Sequence, residues 1–211
     1  MAIVQAPWQW YGPGLAKILN KEVDLDSDNI VMTLHTSSYS PNRSSHAYVS
    51  SLSNEVANGS GYTTGGKSLA SLSLGWIADT SLAAAAVSTA YVLNELRRPA
   101  TANGFIYQVI QAGTSSGTAP TWPTTVGATV SDGSVVWACV GIGYVRFDAA
   151  DVSWAASTTF SWRYAVISDR TPGSAATQPL LAVLDAGSTQ TNLGGSLDFT
   201  FSGVGILGIS V

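Results

Sequence analysis

Charge is what this chain has least of. Its 211 residues include nine Lys/Arg and 13 Asp/Glu, so that charged residues make up 10% of the sequence, against about a quarter in an ordinary soluble domain. Hydrophobic residues, at 45%, are not in excess; Ser, Thr, Ala and Gly fill the positions that charge has left. A soluble monomer normally holds more charge than this, and the composition points to a subunit whose faces are largely buried in an assembly. The few cations are scattered, Arg97-Arg98 being the longest run, which excludes the clustered basic stripe that nucleic-acid binding needs.

Other shortages narrow the chemistry. A single cysteine, Cys139, excludes an internal disulfide framework and fits a protein made in a reducing cytoplasm. Its setting in Val136-Trp137-Ala138-Cys139-Val140 reads as a buried structural thiol, not a reactive one. With only His35 and His46, a Cys/His metal site is excluded. Neither histidine stands in a Gly-x-Ser-x-Gly elbow or a His-Glu-x-x-His helix. Asp24, Asp26 and Asp28 invite a calcium reading, but the EF-hand register would put Gly and Glu where Asn29 and His35 stand. Solvated acids at a strand entry are the expectation, and an irregular ion site stays open. Asp148, Asp151, Asp169 and Asp185 flank strand ends, where carboxylates cap turns and keep edges soluble. No catalytic residue, metal or cofactor is expected. No apolar run is long enough for a transmembrane helix, and MAIVQAPWQWYGPG lacks the basic and apolar regions of a signal peptide, so membrane insertion is not expected either.

What the chain does have is period-2 patterning. Ile30, Met32 and Leu34 alternate with Val31, Thr33 and His35, and Phe160, Trp162, Tyr164 and Val166 share one face of a second strand. Leu72, Leu74 and Trp76 alternate with Ser71, Ser73 and Gly75 as a third, half-buried strand would. Pro179–Asp185 is apolar on both faces, as in the middle of a sandwich. Gly187–Gly195 reads as a loop, and SLDFTF and GVGILGISV read as a closing hairpin turned at Ser202-Gly203. Short helices are expected at Leu15–Val23 and, as an alternative to a loop, at Ser45–Val56. Asp79–Val92 reads as a linker. Trp8, Trp10 and Tyr11 form an aromatic arm that packs on the body of the protein or grips a neighbour.

Between Arg97 and Gly141 lie an Asn103-Gly104 turn and an Asp132-Gly133 turn, each between strand-like runs, separated by the Gly/Ser/Thr/Pro segment Gly113–Pro123. This spacing predicts a small all-β module at 88–142, inserted into a discontinuous domain of residues 1–87 plus 143–211. The expected fold is all-β: an antiparallel, jelly-roll-like β-sandwich with an inserted hairpin module and one or two short helices. The module concentrates Phe105, Tyr107, Trp122 and Trp137. Aromatic rings stack on the apolar face of a sugar, with hydroxyls and amides fixing its orientation; a module this small also needs aromatics for its own core. Tyr107 and Trp137 fit the core, whereas Trp122, between Pro120 and Pro123 in an irregular loop, fits either role.

These residues also carry a resemblance. Gly104-Phe105-Ile106-Tyr107, Gly113-Thr114-Ser115, Pro120-Thr121-Trp122-Pro123, the run from Gly127 through Asp132-Gly133, and the closing Trp137 resemble a small module common in virion proteins of tailed bacteriophages. One departure is Ala119, where that family usually has an acid. The module is similar to small carbohydrate-binding modules, and the likeness implies sugar binding. The flanking blocks VDLDSDNIVMTLHTSSYSPNRSSHAYVSSLSNEV with GYTTGG, and WRYAVISDRTPGSAATQPLLAVLDAG with a closing GILGISV, resemble structural proteins encoded beside phage capsid and tail genes. The resemblance implies a non-enzymatic virion component made in the bacterial host cytoplasm. Its partners would be major capsid, collar or tail proteins, and a homo-oligomer, a trimer first, would be its working form. Capsid decoration (cement) and the head–tail collar are the expected locations. The alternative is a tail-fibre or receptor-binding protein that takes host-surface glycans on Trp122, Phe105, Tyr107 and Trp137. Trp8, Trp10 and Tyr11 are the expected subunit or virion contact.

Overall fold

The structure, a computed structural model, describes residues 2–3, 8–201 and 205–210. Strands hold 46% of it and helix 7%, which makes the fold all-β, antiparallel and sandwich-like. In chain order the elements are β1 (Ala2–Ile3), β2 (Gln9–Trp10), α1 (Gly12–Leu19), β3 (Ile30–His35), β4 (Lys67–Ser68), β5 (Ser73–Ala78), β6 (Ala90–Tyr91), β7 (Leu96–Arg97) and β8 (Ile106–Gln111). They continue with β9 (Gly113–Thr114), β10 (Thr129–Asp132), β11 (Val135–Gly141), β12 (Gly143–Asp148), β13 (Val152–Asp169), β14 (Leu180–Phe199) and β15 (Leu207–Ser210). Two compact units result: unit 1 comprises residues 1–74 and 147–207, and unit 2 comprises residues 75–146 and 208–211.

Unit 1 is built on the antiparallel pair β13–β14, to which β3 and then β4 add on one side and β1 and β2 on the other. Alternation along these strands sends side chains to two apolar clusters, one on each face. Ile30, Met32, Leu34, Ala165, Ile167, Ala182 and Leu184 point into the larger cluster with Trp154, Trp162 and Phe199. Tyr164, Val166 and Val183 point the other way, where Tyr11, Tyr39, Val49 and Leu52 cover them. Every residue of β3 is buried as a result, as expected of a strand packed on both faces. α1 starts at Gly12, earlier than the spacing predicts, because Pro13 is tolerated in a first turn where no N–H partner is needed. It stops at Leu19; Lys21 then takes a φ of 60°.

Gly187–Gly195 is not a separate loop. It lies within β14, where the register with β13 jumps between Trp162 and Tyr164 and the extra residues bulge out. The closing hairpin is corrected too: Ser196–Phe199 ends β14 and pairs with β13, whereas β15 pairs with β12. The turn assigned to Ser202-Gly203 lies outside the described residues. β5 is a strand, but Leu74 and Trp76 are exposed and not half-buried.

Unit 2 holds a four-stranded sheet in the order β10-β11-β8-β7, the short pair β6–β9 and most of the three-stranded sheet β15-β12-β5. Its boundaries are wider than 88–142, because residues read as linker are stitched into it. Ala85 donates its N–H to the Arg98 carbonyl (2.7 Å), the Arg98 guanidinium donates to the Leu82 carbonyl (3.1 Å), and the Ser115 hydroxyl donates to that of Ala86 (2.9 Å). Asp132-Gly133 does close a hairpin, with Asp132 paired to Val135 and Gly133 at a φ of 65°. A Cβ on Gly133 would fall 2.4 Å from the Thr114 carbonyl oxygen, so both the turn and the close approach require glycine. Asn103-Gly104 does not make a tight hairpin. Arg97 pairs with Tyr107, and the intervening residues form a wide loop.

Candidate functional site

The four aromatics singled out in the sequence do come together in unit 2. Trp137 on β11 and Tyr107 on β8 are fully buried with Val109, Val135 and Cys139, while Phe105 and Trp122 are half-buried against them. Trp122 lies 4.5 Å from the Tyr107 ring and meets Trp137 edge-on at 5.5 Å, within the range of favourable aromatic pairs. The loop bearing Trp122 is tied down by Tyr107, whose hydroxyl donates to the Pro123 carbonyl (2.8 Å) and accepts from the Asn103 amide (2.8 Å). Asn103 in turn takes the Phe105 N–H at 3.1 Å. Tyr107 and Trp137 are therefore corrected from candidate ligand contacts to core: a buried ring has no face left for a sugar. Only Trp122 and Phe105 keep part of their surface open.

Two residues that the sequence reading does not single out complete this cluster. Tyr91 packs edge-on against Trp137 at 4.8 Å and exchanges hydrogen bonds with Ala86; it was hidden in the stretch read as linker. Asp132, read only as a turn former, is buried and accepts from the Ser116 N–H (2.9 Å), the Ser116 hydroxyl (2.6 Å) and the Trp137 indole N–H (3.4 Å). Its carboxylate thus joins Ser116, the residue after the Gly-Thr-Ser segment, to the closing Trp. Burial pushes the Cys139 thiol up from its usual range, which keeps it protonated and unreactive.

In unit 1, Trp8, Trp10 and Tyr11 are not a free arm. Trp8 is 8% exposed in the larger cluster, with its ring 6.5 Å from Phe201. Trp10 pairs through β2 with Ala182 of β14 and packs on the same cluster. Tyr11 is fully buried, and its hydroxyl shares a 2.8 Å hydrogen bond with that of Tyr39. Of the two roles open to this segment, packing on the protein's own body is the one seen: Trp8 and Tyr11 are buried in it, which corrects their assignment as a neighbour contact, while Trp10 is half-buried.

The ionisable groups are arranged for structure. His35 is buried on β3, its Nδ1 2.8 Å from the Ser53 carbonyl and its Nε2 3.0 Å from the Thr33 hydroxyl. Asp148, Asp151, Asp169 and Asp185 each accept a nearby backbone N–H, and Asp185 also holds Arg163 in a two-pronged ion pair that keeps its carboxyl below the usual range. Asp24 and Asp28 accept the N–H groups of Asp26 and Asp24 in their own turn. Among the described residues no group of three or more His, Cys, Asp or Glu side chains is placed to hold a metal ion, and no helix is long and apolar enough to cross a membrane. Comparison of the chain with protein-family models, with curated proteins and with solved structures found no match.

Proposed function

We propose that this chain is a non-enzymatic structural component of a tailed-phage virion, a capsid decoration (cement) or head–tail collar protein in which unit 1 serves docking and unit 2 is displayed. The observation that carries this reading is the motif from Gly104 to Trp137, which resembles a phage surface module and which occupies a unit with its own sheet and its own aromatic cluster. The low charge supports a subunit whose faces are covered in an assembly. The test is an inventory of purified particles from a phage genome that encodes the chain, with labelled antibody to place it. The expected result is a fixed copy number at one class of site; absence from washed particles defeats the reading.

A second reading, adhesion to host glycans, is favoured by one observation: Trp122 is held by Tyr107 and Trp137 yet only half-buried, as is Phe105 against the same cluster. An aromatic fixed in this way is suited to stacking on a pyranose. Glycan-array binding by the full chain, lost in Trp122→Ala, would support it, and a flat array would remove it.

A further inference from the structure

We propose that β5 is a homotypic edge, through which two copies of this chain pair antiparallel about a two-fold axis at Gly75. β5 is the outer strand of the sheet β15-β12-β5, and among the described residues no strand pairs with its free side. Such an edge presents unpaired N–H and C=O groups, and sheets ordinarily blunt it with Lys, Pro, a bulge or a covering loop. Neither Lys nor Pro is present: Ser68–Ala78 contains no charged residue and no proline, and Ser73, Leu74, Gly75 and Trp76 are all exposed. By contrast β4, the edge of the six-stranded sheet, is two residues long and carries Lys67. On one face of β5, Leu74 and Trp76 stand 48% and 53% exposed. The Trp76 ring is laid against β12, where a Cβ on Gly143 would fall 1.7 Å from it. Glycine at 143 gives that ring its seat.

The sequence of the strand selects a second copy as the occupant. With pairing centred on Gly75, Leu74 of each copy lies directly opposite Trp76 of the other, and Ser73 lies opposite Ile77. The two aliphatic–aromatic pairs fall on one face, the arrangement that stabilises cross-strand contacts. Charge is compatible as well. The first ionisable group past the axis, Asp79, lies four residues from it, so the two Asp79 carboxylates are about 26 Å apart along the strands, well beyond the screening length of about 8–10 Å. The inference rests on reading the chain as a subunit of an assembly, and it makes the elementary contact two-fold instead of three-fold.

The register gives a sharp test in the purified full-length chain. Residues directly opposite in an antiparallel pair have Cα atoms about 4.5–5.5 Å apart, within the range a disulfide spans. A Cβ at Gly75 meets nothing within 4 Å, and the native thiol of Cys139 is buried. Under mild oxidation Gly75→Cys is expected to form a covalent dimer at least about tenfold faster than Ser73→Cys, whose two thiols would lie about 13 Å apart. Leu74→Lys combined with Trp76→Lys is expected to raise the dimer dissociation constant by about tenfold or more in sedimentation. A wild-type chain that stays monomeric up to about 100 µM, equal cross-linking of the two cysteine variants, or a dimer indifferent to the lysine pair would each overturn the proposal. The readout is in solution, whereas the virion reading is tested on particles, so either can fail alone.

Discussion

In unit 1 a pair of strands 18 and 20 residues long carries an apolar cluster on each face, whereas the longest strand of unit 2 has seven residues and its one cluster is closed by side chains bonded to loops. Long paired strands satisfy their own backbone. Short ones leave many N–H and C=O groups in loops, and buried groups of that kind must find partners. In unit 2 the side chains of Asn103, Ser115, Ser116, Tyr91, Tyr107 and Asp132 supply them. A segment rich in Gly, Ser, Thr and Asn therefore does not by itself announce a ligand. Here much of it is what replaces regular structure, and the aromatic cluster depends on it.

The largest expected effect follows from Trp137. It is fully buried, touches Tyr91 and Trp122, and donates to Asp132. Trp137→Ala should cost about 3–5 kcal/mol, on the order of the whole stability of a unit this small. Hydrogen exchange read by mass spectrometry should show residues 75–146 losing protection while β13 and β14 keep theirs. Equal loss in both units would break the comparison, because it would mean that one cooperative structure holds them.

A smaller effect tests the role of the loop bonds. Asp132→Ala leaves the Ser116 N–H and the Trp137 indole N–H without an acceptor, a loss of about 1–3 kcal/mol. The counterpart in unit 1 is Ser161→Ala, which removes a 2.9 Å bond to the Thr191 hydroxyl on an exposed face and should change stability by less than about 0.5 kcal/mol. Urea midpoints of the two variants decide it. Similar shifts would show that side-chain bonds matter no more in unit 2 than in unit 1.

Alternation made the all-β class and most strands of unit 1 legible, since Ile30, Met32 and Leu34 advertise their face directly; the single face read for Phe160, Trp162, Tyr164 and Val166 is corrected, because the register shift between Trp162 and Tyr164 sends the first two to one cluster and the last two to the other. Less legible was anything decided by partners distant in sequence. Nothing in SLDFTF says that it continues β14 and not a terminal hairpin; that depends on Val152 pairing with Phe199. Gly187 and Gly194-Gly195 look like loop residues because glycines serve bulges as well as turns. The aromatic cluster of unit 2 could be guessed from composition, but its dependence on Tyr91 and Asp132 could not, because those contacts cross from one loop to another. Trp8 and Tyr11 misled for a related reason. An aromatic segment between Pro and Gly looks detachable, and only the pairing of β2 with β14 shows it to be part of the core.

The smallest expected effect concerns pH, and here unit 1 should respond while unit 2 should not. Both histidines belong to unit 1 and none to unit 2. A carbonyl oxygen can only accept, so Nδ1 of His35 carries the proton that goes to Ser53, and Nε2 accepts from Thr33. Burial holds His35 below its ordinary range, outweighing the Ser53 carbonyl and the Glu55 carboxylate, which raise it; Arg170 lowers it further. The ring of Tyr39 packs against it at 5.0 Å. Between that lowered value and the unfolded value near 6.5, the unfolded chain binds more protons than the folded one. The contribution is fully present above about pH 6.5 and is lost as pH falls through the window. Asp169 works the other way: burial raises its carboxyl, so its unfavourable contribution fades as pH falls towards its unfolded value near 3.9. Urea unfolding at pH 7.5 and 5.5, followed by a brief labelling pulse at one fixed pH, should show the unit 1 midpoint dropping and the unit 2 midpoint level. His35→Gln, which keeps a donor for Ser53, should flatten the unit 1 response. A slope that survives this substitution would assign the pH dependence to other groups and remove His35 from the contrast.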